Sequence, residues 1–192
     1  ETTDFDRIGV LTDFVKTTDD GEYSRIKMKQ DYLTADMPFT LHTQAYSVFS
    51  SVIDDKNYAP ARFFAYGGNG SNTIKSYYGT FFGDCILGNR YYISNSASVE
   101  RNYTEVVGYD VDKNGNKLDT GDYRLYKNNY AFPNAFVVGG RAGDFNTDDF
   151  KNGNLYDKYS VLVKALGGKE ATVDVATSPI RVSALEDGAY RL

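Results

Sequence analysis

The chain has 192 residues, of which 41% are hydrophobic and 24% are charged, so it is long enough and apolar enough to bury a core. Lys and Arg number 21 against 26 Asp and Glu, and the net charge of -5 excludes a general attraction to nucleic acid or anionic lipid. The one cysteine, Cys85, excludes an internal disulfide and a cysteine-based zinc cluster.

The first predicted elements are a helix and a strand. Apolar residues recur at three- and four-residue spacing between Phe5 and Val15, which predicts an amphipathic helix over 4–16. The stretch EYSRIKMK then alternates, with Ile26 on one face and Lys27 on the other, as in a strand. A helix followed directly by a strand indicates mixed architecture.

Three further segments fill the middle of the chain. Residues 39–53 are rich in β-branched and aromatic residues and predict an extended region, in which we expect a hydrogen-bonded structural role for His42. Residues 57–75 predict a short helix followed by a loop of Gly and Asn. Residues 77–94 predict a short apolar helix that ends near Gly88 and leads into a strand.

The last third of the chain contains a hairpin, a strand, a helix and a β tail. Two alternating segments flank Asn114-Gly115, the pattern of a β-hairpin, and residues 134–140 predict one more strand. Asn154 is the predicted cap of a helix with one apolar stripe, which ends at 167–168. The tail 171–185 alternates again.

These elements predict an α/β (mixed α+β) fold, with a mixed β-sheet flanked by helices. We expect an α/β domain over 1–168, and a β segment over 169–192 that is either the edge of the sheet or the start of a second β domain. The apolar runs are far shorter than the roughly 20 residues that span a bilayer. With no leader and abrupt ends, the chain is expected to be a soluble piece of a longer protein.

The stretch GYDVDKNGNKLDTGDY has two interpretations, a calcium loop and a hairpin turn. Its candidate calcium ligands are Asp110, Asp112, Asn114 and Asn116. An EF-hand loop needs an acidic residue at its twelfth position, where this chain has Gly121, and a strand precedes the loop instead of a helix. We therefore favour a type I′ hairpin turn at Asn114-Gly115, with calcium as the weaker alternative.

No catalytic signature stands out. Two glycine clusters lack the rest of a phosphate-binding motif, and Cys85 in GDCILG is expected to be a small buried hydrophobe. Acidic doublets such as Asp54-Asp55 do not face the same way and make poor catalytic pairs. We expect no catalytic residue and no cofactor in this chain.

The order of several short motifs resembles the extracytoplasmic portion of the bacterial YfhO family of polytopic membrane proteins. The motifs are EYSRIKM, YSVFSSVID, YYGTFFGDCILGNRYYIS, YRLYKNNYAFPNAFVV and NLYDKYSVLVKALGG, and they cover most of residues 20–168. The most specific match is formed by Asn129, Tyr130, Ala131, Pro133 and Phe136. The sequence departs from the family pattern at Asn134-Ala135 and at 88–91.

The resemblance implies a GT-C-like membrane glycosyltransferase that adds sugars from lipid-phosphate donors to lipoteichoic acid or a related wall polymer. It places this domain on the extracytoplasmic face of the bacterial plasma membrane. The chemistry would occur near the membrane-embedded half, at acidic residues of a loop absent from this chain. The implied partners are the protein's own transmembrane region and a cell-wall glycopolymer.

Aromatic density and motif position suggest a glycan-binding surface formed by Tyr123, Arg124, Tyr126, Asn129 and Tyr130. The alternative for Tyr130 and Phe136 is a place in the core. Two other functions stay open, a secreted or surface-anchored protein-interaction or adhesion module and a free-standing hydrolase. The hydrolase would need a cleft lined by two facing carboxylates.

Overall fold

A computed structural model describes residues 4–19, 24–29, 37–46, 48–50, 53, 58, 61–68, 72–75, 79–96, 99, 102–133, 154–166, 171–174 and 181–184. The chain divides into two compact units, Glu1–Ala135 and Phe136–Leu192, which are described separately. A compact unit need not be a domain, so the predicted boundary after residue 168 stays a prediction.

The first unit contains helices and seven strands among its described residues. Its helices include α1 (Asp4–Thr18), α2 (Met37–Thr40) and α3 (Phe81–Ile86), and residues 61–63 are also helical. The strands are β1 (Arg25–Lys29), β2 (Val48–Phe49), β3 (Gly67–Gly68), β4 (Thr73–Lys75), β5 (Asn89–Ser94), β6 (Tyr103–Glu105) and β7 (Arg124–Asn128).

The main sheet has the strand order β1-β5-β7-β6 and is mixed. Strands β1 and β5 are parallel, whereas β7 is antiparallel to both of its neighbours. A parallel pair needs a long crossover connection, and here the chain between β1 and β5 also contains a small antiparallel sheet of order β2-β4-β3. The prediction of a mixed sheet accompanied by helices is confirmed.

Helix α1 contributes to the core on one face of the main sheet. Its residues Ile8, Leu11 and Val15 are buried, as the spacing predicted, in one cluster with Ile93 of β5 and Leu125 of β7. Ile93 and Leu125 are direct partners across the two strands, so their side chains lie on the same face. The hydrophobic periodicity of α1 therefore identified a core element correctly.

Helix α3 and β5 form the predicted helix-to-strand step. Thr80 caps the helix, because its hydroxyl accepts a hydrogen bond from the Gly83 amide at 3.1 Å. Gly88 has a φ of 67°, a conformation that favours glycine, and it ends the helical turn directly before β5. Gly83 contacts Phe64 so closely that a Cβ at this position would lie 2.9 Å from the Phe64 Cβ.

The extended region predicted over 39–53 is wrong for its first four residues, whereas Gln44 forms a β-bridge with Arg25 and residues 48–49 form β2. Its first residues belong to α2, where Pro38 occupies the first turn and its carbonyl accepts a hydrogen bond from the Thr43 amide at 2.8 Å. His42 follows in an exposed turn with a φ of 51° and so does not lie in a strand. Among the described residues of this region, the strand is limited to β2.

The second unit contains a helix, α4 (Leu155–Ala165), and an antiparallel pair, β8 (Ala171–Asp174) and β9 (Arg181–Ala184). The predicted cap of α4 is confirmed, because Asn154 accepts from the Asp157 amide at 3.0 Å and Asp157 accepts from the Asn154 amide at 3.3 Å. The strand predicted over 134–140 lies outside the described residues.

Candidate functional site

The hairpin predicted at Asn114-Gly115 is present, but its turn is of a different type. Asp112 and Asn116 close a three-residue loop, with a 2.9 Å bond from the Asp112 amide to the Asn116 carbonyl. The Gly115 amide donates to the Asp112 carbonyl at 2.9 Å, and Gly115 has a φ of 83°. Asn114 does not share the positive φ that a type I′ turn requires, so this is a type I turn followed by a left-handed glycine.

The residues of the calcium hypothesis hydrogen-bond to one another within the hairpin. Asp112 Oδ1 accepts from the amides of Asn114 and Asn116, both at 2.8 Å, and Oδ2 accepts from Asn116 Nδ2 at 2.9 Å. These bonds, that of the Asn116 side chain first, lower the pKa of Asp112. In the described part of the chain, no group of three or more His, Cys, Asp and Glu is arranged to hold a metal ion. Calcium binding, with Asp110 as a further ligand, stays a prediction.

A cleft of about 750 Å³ lies beside this hairpin, and we refer to it as the 105–124 cleft. Strand β6 ends beside it, the chain turns at Gly108, where φ is 80°, and the segment after the hairpin turn leads back to β7. The residues that line it are Glu105, Val106, Val107, Gly108, Tyr109, Asp110, Lys117, Leu118, Asp119, Thr120, Gly121 and Arg124. Of the five residues that the sequence suggested for a binding surface, only Arg124 is among them.

Glu105 is held in place by two neighbours within the cleft. The hydroxyl of Tyr109 donates to Glu105 Oε1 at 3.1 Å, and Arg124 Nε lies 3.9 Å from the same oxygen. Burial of the Tyr109 ring, together with its bond to the Glu105 carboxylate, raises the pKa of Tyr109 to about 12. The cleft thus presents a carboxylate of defined orientation.

Asp119 is held from the other side by helix α1. Arg7 approaches Asp119 Oδ2 with Nε and Nη2, both at 3.4 Å, and the Gly121 amide donates to Asp119 Oδ1 at 3.0 Å. Gly121 has a φ of 54°, and a Cβ there would lie 3.0 Å from the Arg7 side chain. Because Gly121 has no Cβ, Arg7 can approach Asp119 and close this side of the cleft. The sequence did not predict this long-range contact.

The five residues of the predicted binding surface lie in three places. Arg124 and Tyr126 share one face of β7, and Glu105 is the direct partner of Tyr126 on β6. Tyr123, in contrast, is 3% exposed and belongs to the hydrophobic core. Burial, followed by the charge of Asp4, raises the pKa of Tyr123 to about 12. Its side chain is thus part of the packing and is not presented to a ligand.

The other two residues, Asn129 and Tyr130, follow the far end of β7. Asn129 Nδ2 donates to Thr104 Oγ1 at 3.2 Å. Tyr130 is 48% exposed and meets Phe81 edge to face, with ring centroids 6.1 Å apart. The alternative that Tyr130 is a core residue is therefore wrong, and Phe136 lies outside the described residues.

A row of aromatic rings runs from Tyr126, the strand partner of the cleft residue Glu105, to the exposed Tyr130 ring. Neighbouring ring centroids along this aromatic row are 5.3 to 6.4 Å apart. Its members, in spatial order, are Tyr126, Tyr92, Tyr103, Phe81 and Tyr130. The two middle tyrosines are buried, so the row presents rings to solvent mainly at its two ends.

A comparison with models of protein families identifies the family of this chain. The model of the family described as "Bacterial membrane protein YfhO" matches residues 2–186. The chain belongs to the YfhO family. Comparison with curated proteins and with solved structures gave no match. The family likeness read from the order of the motifs is therefore confirmed, and the chain is part of a membrane protein family.

Among the residues described for this YfhO family member, no helix combines the length and the apolar character needed to cross a bilayer. The longest, α1, has 15 residues and carries charged side chains at both ends.

A buried ion pair is the main feature of this YfhO domain that the sequence did not predict. Lys27 of β1 is 2% exposed and Asp84 of α3 is fully buried, and Lys27 Nζ lies 2.5 Å from Asp84 Oδ2. Alternation placed Lys27 opposite Ile26 correctly, but it did not reveal that this second face is also covered. An acidic residue in the apolar helix FFGDCI was the available signal, because buried carboxylates need partners.

Three hydrogen-bond donors complete the surroundings of Asp84. Tyr103 donates to Oδ2 at 2.6 Å, whereas Tyr66 and Asn89 donate to Oδ1 at 3.1 and 2.8 Å. Burial and the negative charge of Asp84 raise the pKa of Tyr66. Because these groups come from α3, three strands and the chain before β3, the network connects elements that are distant in sequence.

The raised tyrosine pKa values predict a loss of stability at alkaline pH. Tyrosines of the unfolded chain lose their protons near pH 10, whereas Tyr109 and Tyr123 in the folded protein have a pKa of about 12. Their contribution is complete below about pH 10 and is lost as the pH rises towards 12. Denaturant unfolding over this range should therefore show a falling free energy of unfolding. Tyr109→Phe should make the fall less steep, whereas Tyr130→Phe, at an exposed ring, should leave it unchanged.

Proposed function

We propose that this chain is the extracytoplasmic domain of a GT-C-like membrane glycosyltransferase that decorates lipoteichoic acid or a related wall polymer. In this proposal the domain holds the acceptor polymer over the membrane face. Sugar transfer from a lipid-phosphate donor takes place in the protein's own transmembrane region. No catalytic residue is assigned to this chain.

The observation that carries the proposal is the 105–124 cleft. Its volume of about 750 Å³ is in the usual range of small-ligand sites, roughly 300–1,000 Å³. Glu105 and Arg124 provide an acceptor and a donor of hydrogen bonds, and the half-buried ring of Tyr126 lies on the same face of the sheet. Sugars are recognised by this combination, because an aromatic ring covers their C–H face while polar groups bind their hydroxyls.

A polymer needs contacts beyond a single cleft, and the aromatic row offers them. Arg124, at the start of β7, lines the cleft, and the exposed Tyr130 ring lies beyond the other end of this strand. Phe132, 38% exposed, follows two residues later. An extended glycan chain that crosses the surface from Arg124 to Tyr130 would reach both the cleft and these rings.

Binding accounts for the cleft better than hydrolysis does. A glycoside hydrolase needs one protonated carboxyl beside an ionised carboxylate, and apolar surroundings usually keep the first one protonated. Glu105 and Asp119 instead each face a guanidinium group, Arg124 and Arg7 respectively. Such surroundings suit fixed hydrogen-bond acceptors.

Titration of the purified domain with lipoteichoic acid tests the proposal. Tyr126→Ala and Tyr130→Ala should each weaken binding by about threefold to tenfold, because a lost ring contact is worth roughly 0.5–1.5 kcal/mol. Phe39→Ala is the matched control, since Phe39 is an aromatic residue of α2 that is 65% exposed. The affinity of the Phe39→Ala variant for lipoteichoic acid should equal that of the unchanged domain.

Two results would contradict the proposal. If the folded domain does not bind lipoteichoic acid, the acceptor role is wrong, and the alternative of a protein-interaction or adhesion module is favoured. If both tyrosine variants bind as tightly as the unchanged domain while their melting temperatures are normal, the polymer is bound elsewhere.

The extracytoplasmic placement has a separate test in the full-length protein. Lys113 is exposed in the hairpin, whereas the native Cys85 is buried. A membrane-impermeant maleimide added to intact cells should therefore label the Lys113→Cys protein more strongly than the unchanged protein. Labelling that appears only after the cells are opened would place the domain on the cytoplasmic side.

A further inference from the structure

The 105–124 cleft contains a nearly balanced set of charges. Its carboxylates are Glu105, Asp110 and Asp119, and its cationic groups are Lys117 and Arg124. Arg7 adds a third positive charge from α1, where it contacts Asp119. The surroundings of a ligand in this cleft therefore have no excess of positive charge.

Both arginines at the cleft have partners within the protein. Arg124 Nη1 donates to the carbonyls of Gly121 and Tyr123 at 3.1 and 3.0 Å, and its Nε lies near Glu105. Arg7 is engaged by Asp119 and lies 3.7 Å from Asp4. A phosphate group normally takes both arms of a guanidinium fork, and a phosphate bound by either of these arginines would have to displace these contacts and lie beside three carboxylates.

The carboxylates, in contrast, are arranged as fixed acceptors. Both described contacts of Glu105 go to Oε1, and a carboxylate offers about four acceptor positions in all. Asp119 is oriented through both of its oxygens, by Arg7 and by the Gly121 amide. Groups held in this way bind neighbouring hydroxyls without first losing side-chain freedom.

We propose that the 105–124 cleft recognises an uncharged glycosyl residue of the acceptor through its hydroxyl groups, and not the phosphates of the polymer backbone. This inference rests on the proposed acceptor-binding function and specifies which part of the acceptor is bound. Val106 and Leu118, both partly exposed, provide the apolar wall that a sugar ring needs.

The test compares two probes on the same purified domain by titration calorimetry. One is a panel of uncharged disaccharides of glucose, galactose and N-acetylglucosamine, and the other is an oligomer of glycerol phosphate. We expect a disaccharide to bind, with an affinity that changes little as salt is raised, because no net charge is neutralised. Glu105→Gln should weaken this binding about tenfold, the usual loss when a charged acceptor is replaced.

Asp122→Asn is the control variant, because Asp122 is exposed and does not line the cleft. It should bind the disaccharide normally. If only glycerol phosphate binds, with an affinity that falls as salt is raised, this inference is overturned while the acceptor-binding function stands. If the domain binds neither probe nor lipoteichoic acid, the proposed function fails as well. An unchanged affinity in a folded Glu105→Gln variant would also overturn the inference.

Discussion

Lys27→Met is expected to lower the free energy of unfolding by about 3–5 kcal/mol, the usual cost of breaking a buried ion pair by removing one partner. Met has nearly the length of Lys, so the packing against Tyr92 is largely kept, whereas Asp84 remains buried without its cation. Tyr66, Tyr103 and Asn89 still donate to the carboxylate. These three bonds place the expected loss nearer the lower end of the range.

Denaturant unfolding measures this effect, and Lys113→Met is the matched control because Lys113 is exposed in the hairpin. The control should change stability by less than about 0.5 kcal/mol. A second comparison uses Asp84→Asn combined with Lys27→Met, which leaves no unpaired buried charge. The double variant should lose less than the sum of the two single losses. If Lys27→Met is as stable as its control, the buried pair does not exist in solution.

Leu125→Ala is expected to cost about 2–5 kcal/mol, the range for large-to-small changes in a packed core. Leu125 is fully buried in the middle of β7, where it pairs with Ile93 and contacts the cluster that includes Leu11 of α1. Strands lie on both sides of β7 and helix α1 belongs to the same cluster, so the cavity collapses little and the loss should approach the upper end.

Thermal and denaturant unfolding of the first unit should both report this loss. Val107→Ala is the control, since Val107 is 88% exposed and its truncation removes little buried surface. A Leu125→Ala protein within about 1 kcal/mol of the unchanged one would show that β7 is not central to the core. The Leu125→Ala variant keeps the neighbouring residues Arg124 and Tyr126. Its binding of lipoteichoic acid should therefore weaken only in proportion to the fraction of protein that is unfolded.

Local patterns predicted the local elements well. The apolar spacing of α1, the step from α3 through Gly88 into β5, and the capping of α4 by Asn154 are all present. In each case the residues that determine the structure lie within one or two turns of one another. One exception is the region before β2, where a Pro in the first turn favoured a short helix over the β propensity of its neighbours. Another is the loop of Gly and Asn predicted within 57–75, where β3 and β4 form an antiparallel pair.

The predicted binding residues show what a motif alone does not specify. Tyr123, Arg124 and Tyr126 are close in sequence, yet alternation along β7 and its approach places Tyr123 in the core and the other two on the opposite side of the sheet. The side of Tyr123 is covered by α1, a helix more than a hundred residues away in sequence.

The sequence by itself determined the family, the mixed α/β class, most helix ends and the presence of the hairpin, because these depend on residues near one another or on the order of motifs. Only the tertiary structure decided that Lys27 and Asp84 meet in the interior, and that Arg7 closes a cleft against Asp119. Such contacts depend on how distant elements pack, and side-chain periodicity does not identify the element that covers a given face.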